Sequence, residues 1–254
     1  MTMRSAHVLL GALLVGPQSA GAQSLADRIA TAGDGRVIFS FAARPEVCGD
    51  GEGSISIGRS QIRSHGEQRP CVHGPVRVRL MMRDGRPEQV ESWVGTTTSL
   101  DGRDLGTVAP GEAARWLLAL AARGDGRAAA RAITPAVLAE GVVVWPTLLD
   151  IARDSSGQRR GTRTEAAFWL SRFAGAAIGG HPATLAEDDA DDRDDVKLHA
   201  VFVLSQLRNH EGIAPLLDVA RSNANLAVRQ RALFWLGQSG DPRALSLFES
   251  LLRG

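Results

Sequence analysis

The sequence predicts an α+β protein: a small, disulfide-linked, antiparallel β-rich module at the N-terminal end, followed by a C-terminal α-solenoid of helix pairs. Three observations predict it. Apolar residues recur at every second position up to about Thr107, the period of strands with one solvated side. From about Pro110 they recur at helical spacing. Beyond about residue 142 a unit of 31–34 residues repeats, and two helices per unit at that period is the signature of a solenoid.

Residues 1–22 come first and stand apart from the fold. Arg4 and the amino terminus give a short positive region, and residues 8–16 (VLLGALLVG) form an uncharged apolar run. That run is too short for a mature membrane span. Pro17 breaks it, and Ala20-Gly21-Ala22 is a small-x-small cleavage site before Gln23. The segment reads as a signal peptide, with a buried N-terminal helix as the other reading. The expectation is an exported protein, periplasmic or secreted, without stable membrane insertion after cleavage.

At 254 residues, with 44% hydrophobic and 22% charged residues, the chain is long enough for a core of its own and excludes a disordered or collagen-like protein. The net charge of +1 falls to zero when Arg4 leaves with the signal segment, so no nucleic-acid partner is expected.

Cys48 and Cys71 close a loop of 24 residues. In an exported chain a pair of cysteines reads first as a disulfide. Free thiols, or a metal site of Cys48, His65, Cys71 and His73, stay open as alternatives, although the spacing lacks the tight pairs of a zinc knuckle. Within residues 23–107, Val37, Phe39 and Phe41, then Ser54-Ile55-Ser56-Ile57, then Val76, Val78 and Leu80, then Val90 to Val94, read as strands. Asp84-Gly85 is the best hairpin turn.

The helical part is placed at residues 108–254. One helix is expected from about Gly111 to Gly124, and a second from about Arg127 to Ala139, kinked or broken by Pro135. The repeat then takes over. Residues 163–170 (RTEAAFWL) match residues 229–236 (RQRALFWL), with residues 197–204 (KLHAVFVL) between them. Residues 148–153 (LLDIAR) match 216–221 (LLDVAR), and Leu247-Phe248-Glu249 continues the series. Gly237 and Gly240 end one helix, and Asp241-Pro242 caps the next.

The unit V-R/K-x-x-A-x-F-x-L, at 196–204 and 228–236, resembles the bacterial HEAT-like repeat of the PBS-lyase type. Residues 232–245 (ALFWLGQSGDPRAL) resemble a group of exported HEAT-repeat proteins, and 47–51 (VCGDG) and 74–80 (GPVRVRL) are similar to the N-terminal part of that group. The resemblance implies an interaction scaffold. Bilin lyase activity, known in the wider class, is not carried over, since no motif here supports it.

Two rows of residues hold one register across the three copies. Arg163, Lys197 and Arg229 form a basic row, which either bonds neighbouring turns or offers a groove to an acidic protein or peptide. Phe168, Phe202 and Phe234 form an aromatic row, either packed between helices or exposed to grip a peptide. On a helical wheel Val228, Ala232, Trp235 and Leu236 make the core stripe. The acidic run 187–195 reads as a solvated turn, and Gly49, Gly51 and Gly53 are a weak match to a phosphate loop. No catalytic or metal motif occurs, so no cofactor is expected. The expected function is non-catalytic protein binding or scaffolding in the envelope. The alternative is an exported enzyme with its site in the β-rich module or at its junction with the solenoid.

Overall fold

The computed structural model describes residues 23–254 apart from 59–60, 65–66, 96–100, 125, 155–158, 180–194 and 208–209. The signal-like segment 1–22, His65 and the acidic run up to Asp194 lie outside the described residues, as does the side chain of Lys197.

The first described element is a helix, α1 (Leu25–Ala32), where only β structure was expected. Ser24 caps it by accepting the Asp27 N–H, and Leu25 and Ile29, one turn apart, are its buried residues. Four strands form the main sheet: β1 (Gly35–Phe41), β6 (Val76–Arg83), β7 (Arg86–Trp93) and β8 (Arg103–Thr107), in the order β7-β6-β1-β8. Between β1 and β6 lie two small hairpins, β2 (Val47–Gly49) with β3 (Ile55–Ile57), and β4 (Gln61–Ser64) with β5 (Glu67–Pro70).

Alternation sets the faces. Phe39 lies opposite Val78 and Val37 opposite Leu80, which lies opposite Val90, and all five are buried. Arg79 and Glu91 pair on the other face. Asp84 and Gly85 turn β6 into β7 with positive φ at both positions, as a two-residue hairpin turn of the primed type requires. The Asp34 carboxylate accepts both of their N–H groups at 3.1 Å.

The sheet is mixed, and this corrects the antiparallel expectation. β8 pairs with β1 in parallel. Alternation marks which face a residue takes but carries no strand direction. Here the Val108 N–H donates to the Ser40 carbonyl at 2.8 Å as the chain leaves β8 for the first long helix, α2 (Pro110–Arg123). The Phe39 ring meets Trp116 of α2 edge-on at 6.2 Å, so α2 covers the buried face.

Cys48 and Cys71 are disulfide-bonded, which leaves neither sulfur as a thiolate for the alternative metal site. His73 Nδ1 lies 2.8 Å from the Val47 carbonyl. Gly49 allows a close approach of two chains, since a Cβ there would run into the Val94 carbonyl. The Asp50 carboxylate accepts the N–H groups of Glu52, Gly53 and Ser54, so the amides that a phosphate would need are already engaged.

The expected second helix is two short ones, α3 (Gly126–Arg131) and α4 (Ile133–Val137). The break falls at Ala132, and Pro135 sits in the first turn of α4, where an N–H has no intrahelical acceptor. Next come α5 (Trp145–Arg153), α6 (Arg160–Gly179), α7 (Asp195–Ser205), α8 (Ile213–Ser222), α9 (Leu226–Ser239) and α10 (Pro242–Arg253).

These helices pair as the repeat predicts, α5 with α6 and α8 with α9. Their succession is not that of a regular solenoid, in which neighbouring repeats stack in chain order. α9 packs directly on α6, with α7 on another side of it, and α10 turns back onto α6 and α5. Gly237 explains the direct contact. It was expected to end α9 but lies inside it, where a Cβ would collide with the Ser171 side chain and the Ala167 carbonyl of α6. Gln230 Nε2 also donates to the Gly175 carbonyl at 3.0 Å. The buried residues of α9, which include Leu233, span roughly half its circumference. Trp235 lies at the rim of that arc and is half-buried, so Leu233 is the core residue the stripe omitted.

One hydrophobic core runs from Leu25 and Phe39 through Leu117 and Ile133 to Trp169, Leu233 and Phe248. The β-rich and helical parts are therefore joined through a shared interior.

Two predictions follow from these ties. Replacing both Cys48 and Cys71 with serine should lower stability by about 3 kcal/mol, the chain-entropy effect of a loop this long, read as a shift of the urea midpoint. The second concerns Asp241, which caps α10 by accepting the Arg243 N–H. The Arg243 guanidinium, 3.0 Å from both carboxylate oxygens, holds its pKa below the ordinary value against the opposing effect of burial. A depressed folded pKa means the contribution is complete above the ordinary carboxylate range and is lost as pH falls through the folded value. Acid titration of stability below about pH 4 should therefore be shallower in Asp241→Asn, which keeps the cap, than in the wild type. Asp241→Ala should cost about 1 kcal/mol at neutral pH.

Candidate functional site

Where β7 meets the helices there is a cleft of about 560 Å³. Residues 90–93 of β7 form one wall, and Glu52, Gly53 and Ile55 extend it from the β2–β3 hairpin. Ala130 and Arg131 come from the end of α3, Thr134 from α4, and Glu165, Phe168 and Trp169 from α6.

Helical spacing places Glu165 and Trp169 one turn apart on α6. The Trp169 indole N–H donates to Glu165 Oε1 at 3.0 Å, and the Thr134 hydroxyl donates to the same oxygen at 3.0 Å. Trp169 is 2% exposed, so its indole anchors the carboxylate from below. Glu165 has only these neutral donors and forms no ion pair among the described residues.

The other two carboxylates are neutralised. Glu91 accepts from Arg79 Nε at 2.9 Å and Nη2 at 2.6 Å, and the same guanidinium lies 4.9 Å from the Trp93 ring centre. Glu52 pairs with Arg69 at 3.1 Å. The cleft thus combines aromatic surface with a carboxylate, Glu165, that forms no ion pair among the described residues, and the exposed Arg131 also lines it.

The aromatic row is only partly in the expected order. Phe168 meets Phe234 edge-on at 6.3 Å, Phe234 meets Trp235 at 5.1 Å, and Trp235 meets Phe202 at 5.4 Å. Phe234, not Phe202, holds the middle position, because α9 and not α7 lies against α6. Phe168 and Phe234 are half-buried, while Phe202 is 41% exposed. On the other side Phe168 contacts Trp169 at 5.4 Å, so the row ends in the cleft.

The basic row is dispersed. Arg163 is half-buried and donates to the Asp154 carbonyl at 3.1 Å, a neighbouring turn. Arg229 lies within the buried arc of α9, with its Nε enclosed and unbonded. The Lys197 side chain is outside the described residues. Sequence reasoning did not single out Glu165. The available signal was its departure from the repeat, since His199 and Arg231 hold the matching positions.

Glu165→Ala should leave two donors short of an acceptor and cost about 1–3 kcal/mol. Glu165→Gln keeps the acceptor oxygen and should cost less than about 1 kcal/mol, both read from urea midpoints.

Residues 183–254 match a family model of HEAT repeats. No curated protein and no solved structure matches the chain. The matched segment contains α7 to α10, so the C-terminal helices are similar to HEAT repeats, a protein-interaction architecture.

Proposed function

We propose that this protein is a non-catalytic binding or scaffolding protein, exported to the cell envelope, that engages another protein through the outer side of its HEAT-like helices. The observation that carries this reading is the surface of α7. Leu198, Val201, Phe202, Val203 and Leu204 make the helix apolar around most of its circumference, a composition suited to burial on all sides. Val201 is buried, yet Phe202 is 41% exposed and Val203 47%, and Leu207, just beyond the helix, is 43% exposed. Exposed apolar side chains on a helix and just after its end mark an interaction surface. The signal-like residues 1–22 and the disulfide support an extracytoplasmic setting. An acidic partner has less support, because Arg163 and Arg229 are engaged in packing.

A second reading, an exported enzyme at the junction, draws on the cleft described above and its carboxylates. Binding is favoured because Glu52 and Glu91 are ion-paired and Glu165 is held by neutral donors.

The test uses protein purified from the envelope as bait in envelope extract. A partner held by the wild type should be lost from the double variant Phe202→Asp, Leu207→Asp, whose melting temperature should be nearly unchanged. Retention should be insensitive to salt, with a negative heat-capacity change on binding. Undiminished retention by the variant, or release by salt alone, would remove the α7 surface from the interaction.

A further inference from the structure

The cleft holds two opposite charges that do not neutralise each other. One is Glu165. Both of its donors, the Trp169 indole and the Thr134 hydroxyl, end on Oε1 at 3.0 Å. Oε2 accepts from no donor among the described residues, and it is not enclosed by the protein. The carboxylate is therefore fixed through one oxygen while the other stays accessible. The second charge is Arg131, at the end of α3, which is exposed and forms no ion pair among the described residues. The other two carboxylates of the cleft, Glu52 and Glu91, have guanidinium partners of their own in Arg69 and Arg79.

The backbone brings the two charges to one place. Arg131 and Thr134 are three residues apart, and Ala132 between them keeps helical dihedrals (φ −72°, ψ −20°). Residues at that spacing share one side of a helix. Arg131 thus stands beside the threonine that holds Glu165, and both charged side chains line the cleft. α3 packs on β7 and on α6 alike, which sets its end at the junction of the two walls. Apolar surface completes the site. Ile55, Trp93 and Phe168 line it and are half-buried, so each keeps surface that a ligand can cover. A cavity of about 560 Å³ is of the size that takes a small organic molecule.

We propose that the cleft is a binding site for a small zwitterion, a free amino acid or dipeptide with an apolar side chain. Its ammonium sits on Glu165, its carboxylate on Arg131, and its side chain against Ile55, Trp93 and Phe168. The site takes a small molecule, lies apart from α7, and does not depend on the protein-binding reading. An ammonium at Oε2 gains a charge-assisted bond to an acceptor that packing already holds in place, so little ordering cost remains. The planar fork of an arginine matches a carboxylate with two parallel bonds. A ligand with a single charge leaves the other charge of the cleft without a partner, so the pair selects against simple cations and simple anions.

The test is calorimetric titration of the purified, disulfide-intact protein with phenylalanine, leucine and the dipeptide phenylalanyl-leucine. Each is compared with its N-acetylated and its C-amidated form. At least one unblocked compound should bind with a Kd below about 1 mM. Blocking either end should weaken it about tenfold. Glu165→Gln keeps Oε1 for its two donors and puts an amide nitrogen, itself a donor, in the place of Oε2. It should weaken the unblocked ligand about tenfold and leave the N-acetylated form unchanged. Arg131→Gln should weaken the unblocked ligand by a similar factor and leave the C-amidated form unchanged. Arg127→Gln, one turn earlier on α3 and outside the cleft lining, should bind as the wild type does. Absence of binding tighter than about 1 mM, or blocked forms that bind as well as the unblocked ones, would overturn the proposal. So would a preference for the C-amidated form, or a gain in affinity on Arg131→Gln, since either would make Arg131 a screen over Glu165 rather than a partner. Each of these results leaves the α7 surface standing.

Discussion

The seating of α6 between the sheet side and the C-terminal helices is the constraint on which the rest of the structure depends. α6 packs on α3 and α5 toward one end of the chain and on α9 and α10 toward the other. Trp169, 2% exposed, fills its centre, and truncating a buried aromatic of this kind costs about 3–5 kcal/mol. Burying that indole requires an acceptor for its N–H. Glu165 provides it, so the residue that allows the tryptophan to be buried also places a carboxylate in the cleft. Packing and site share the same two side chains.

The opposite wall of the cleft is fixed by covalent and steric ties. The Cys48–Cys71 bond joins β2 to the chain just after β5. The Gly51 N–H donates to the Val94 carbonyl at 3.0 Å, and Gly49 permits the close approach beside it. The end of β7 is thereby held to the β2–β3 hairpin. Arg79, clamped by Glu91 and stacked on Trp93, stiffens the outer face of the same strand. This wall is held in place rather than loose, and preorganisation of this kind lowers the entropic cost of binding.

What could be read from the sequence was local chemistry. Asp84-Gly85 specifies its turn because both positions need positive φ, and Asp241-Pro242 specifies a helix start because a carboxylate cap and an N1 proline suit nothing else as well. The cysteine pair and the repeated helices belong to the same class. What could not be read was partnership between distant segments. The parallel pairing of β8 leaves no trace in alternation, and α1 was hidden in a stretch of only eight residues. The copies at 163–170, 197–204 and 229–236 suggest a linear stack, yet Gly237 and Ser171 bring the first and third together. Thr134 and Trp93 reach the cleft from elements whose meeting no spacing encodes.

The altered stacking order has a further consequence for the two surfaces. In a regular stack Phe202 would separate Phe168 from Phe234, and the aromatic row would simply follow the repeats. Here Phe168 touches Phe234 directly, and Trp235 carries the contact on to Phe202. A continuous run of packed rings therefore leads from the cleft to the exposed side of α7. Phe168, Phe234 and Trp235 are half-buried, and rings packed against one another in this way restrict each other's movement. The separation between cleft and α7 surface is thus set by packing rather than by a linker. Phe234 touches Phe168 at the cleft end of the run directly and reaches Phe202 at the other end through Trp235, so it is the ring that links α6 to the α7 side.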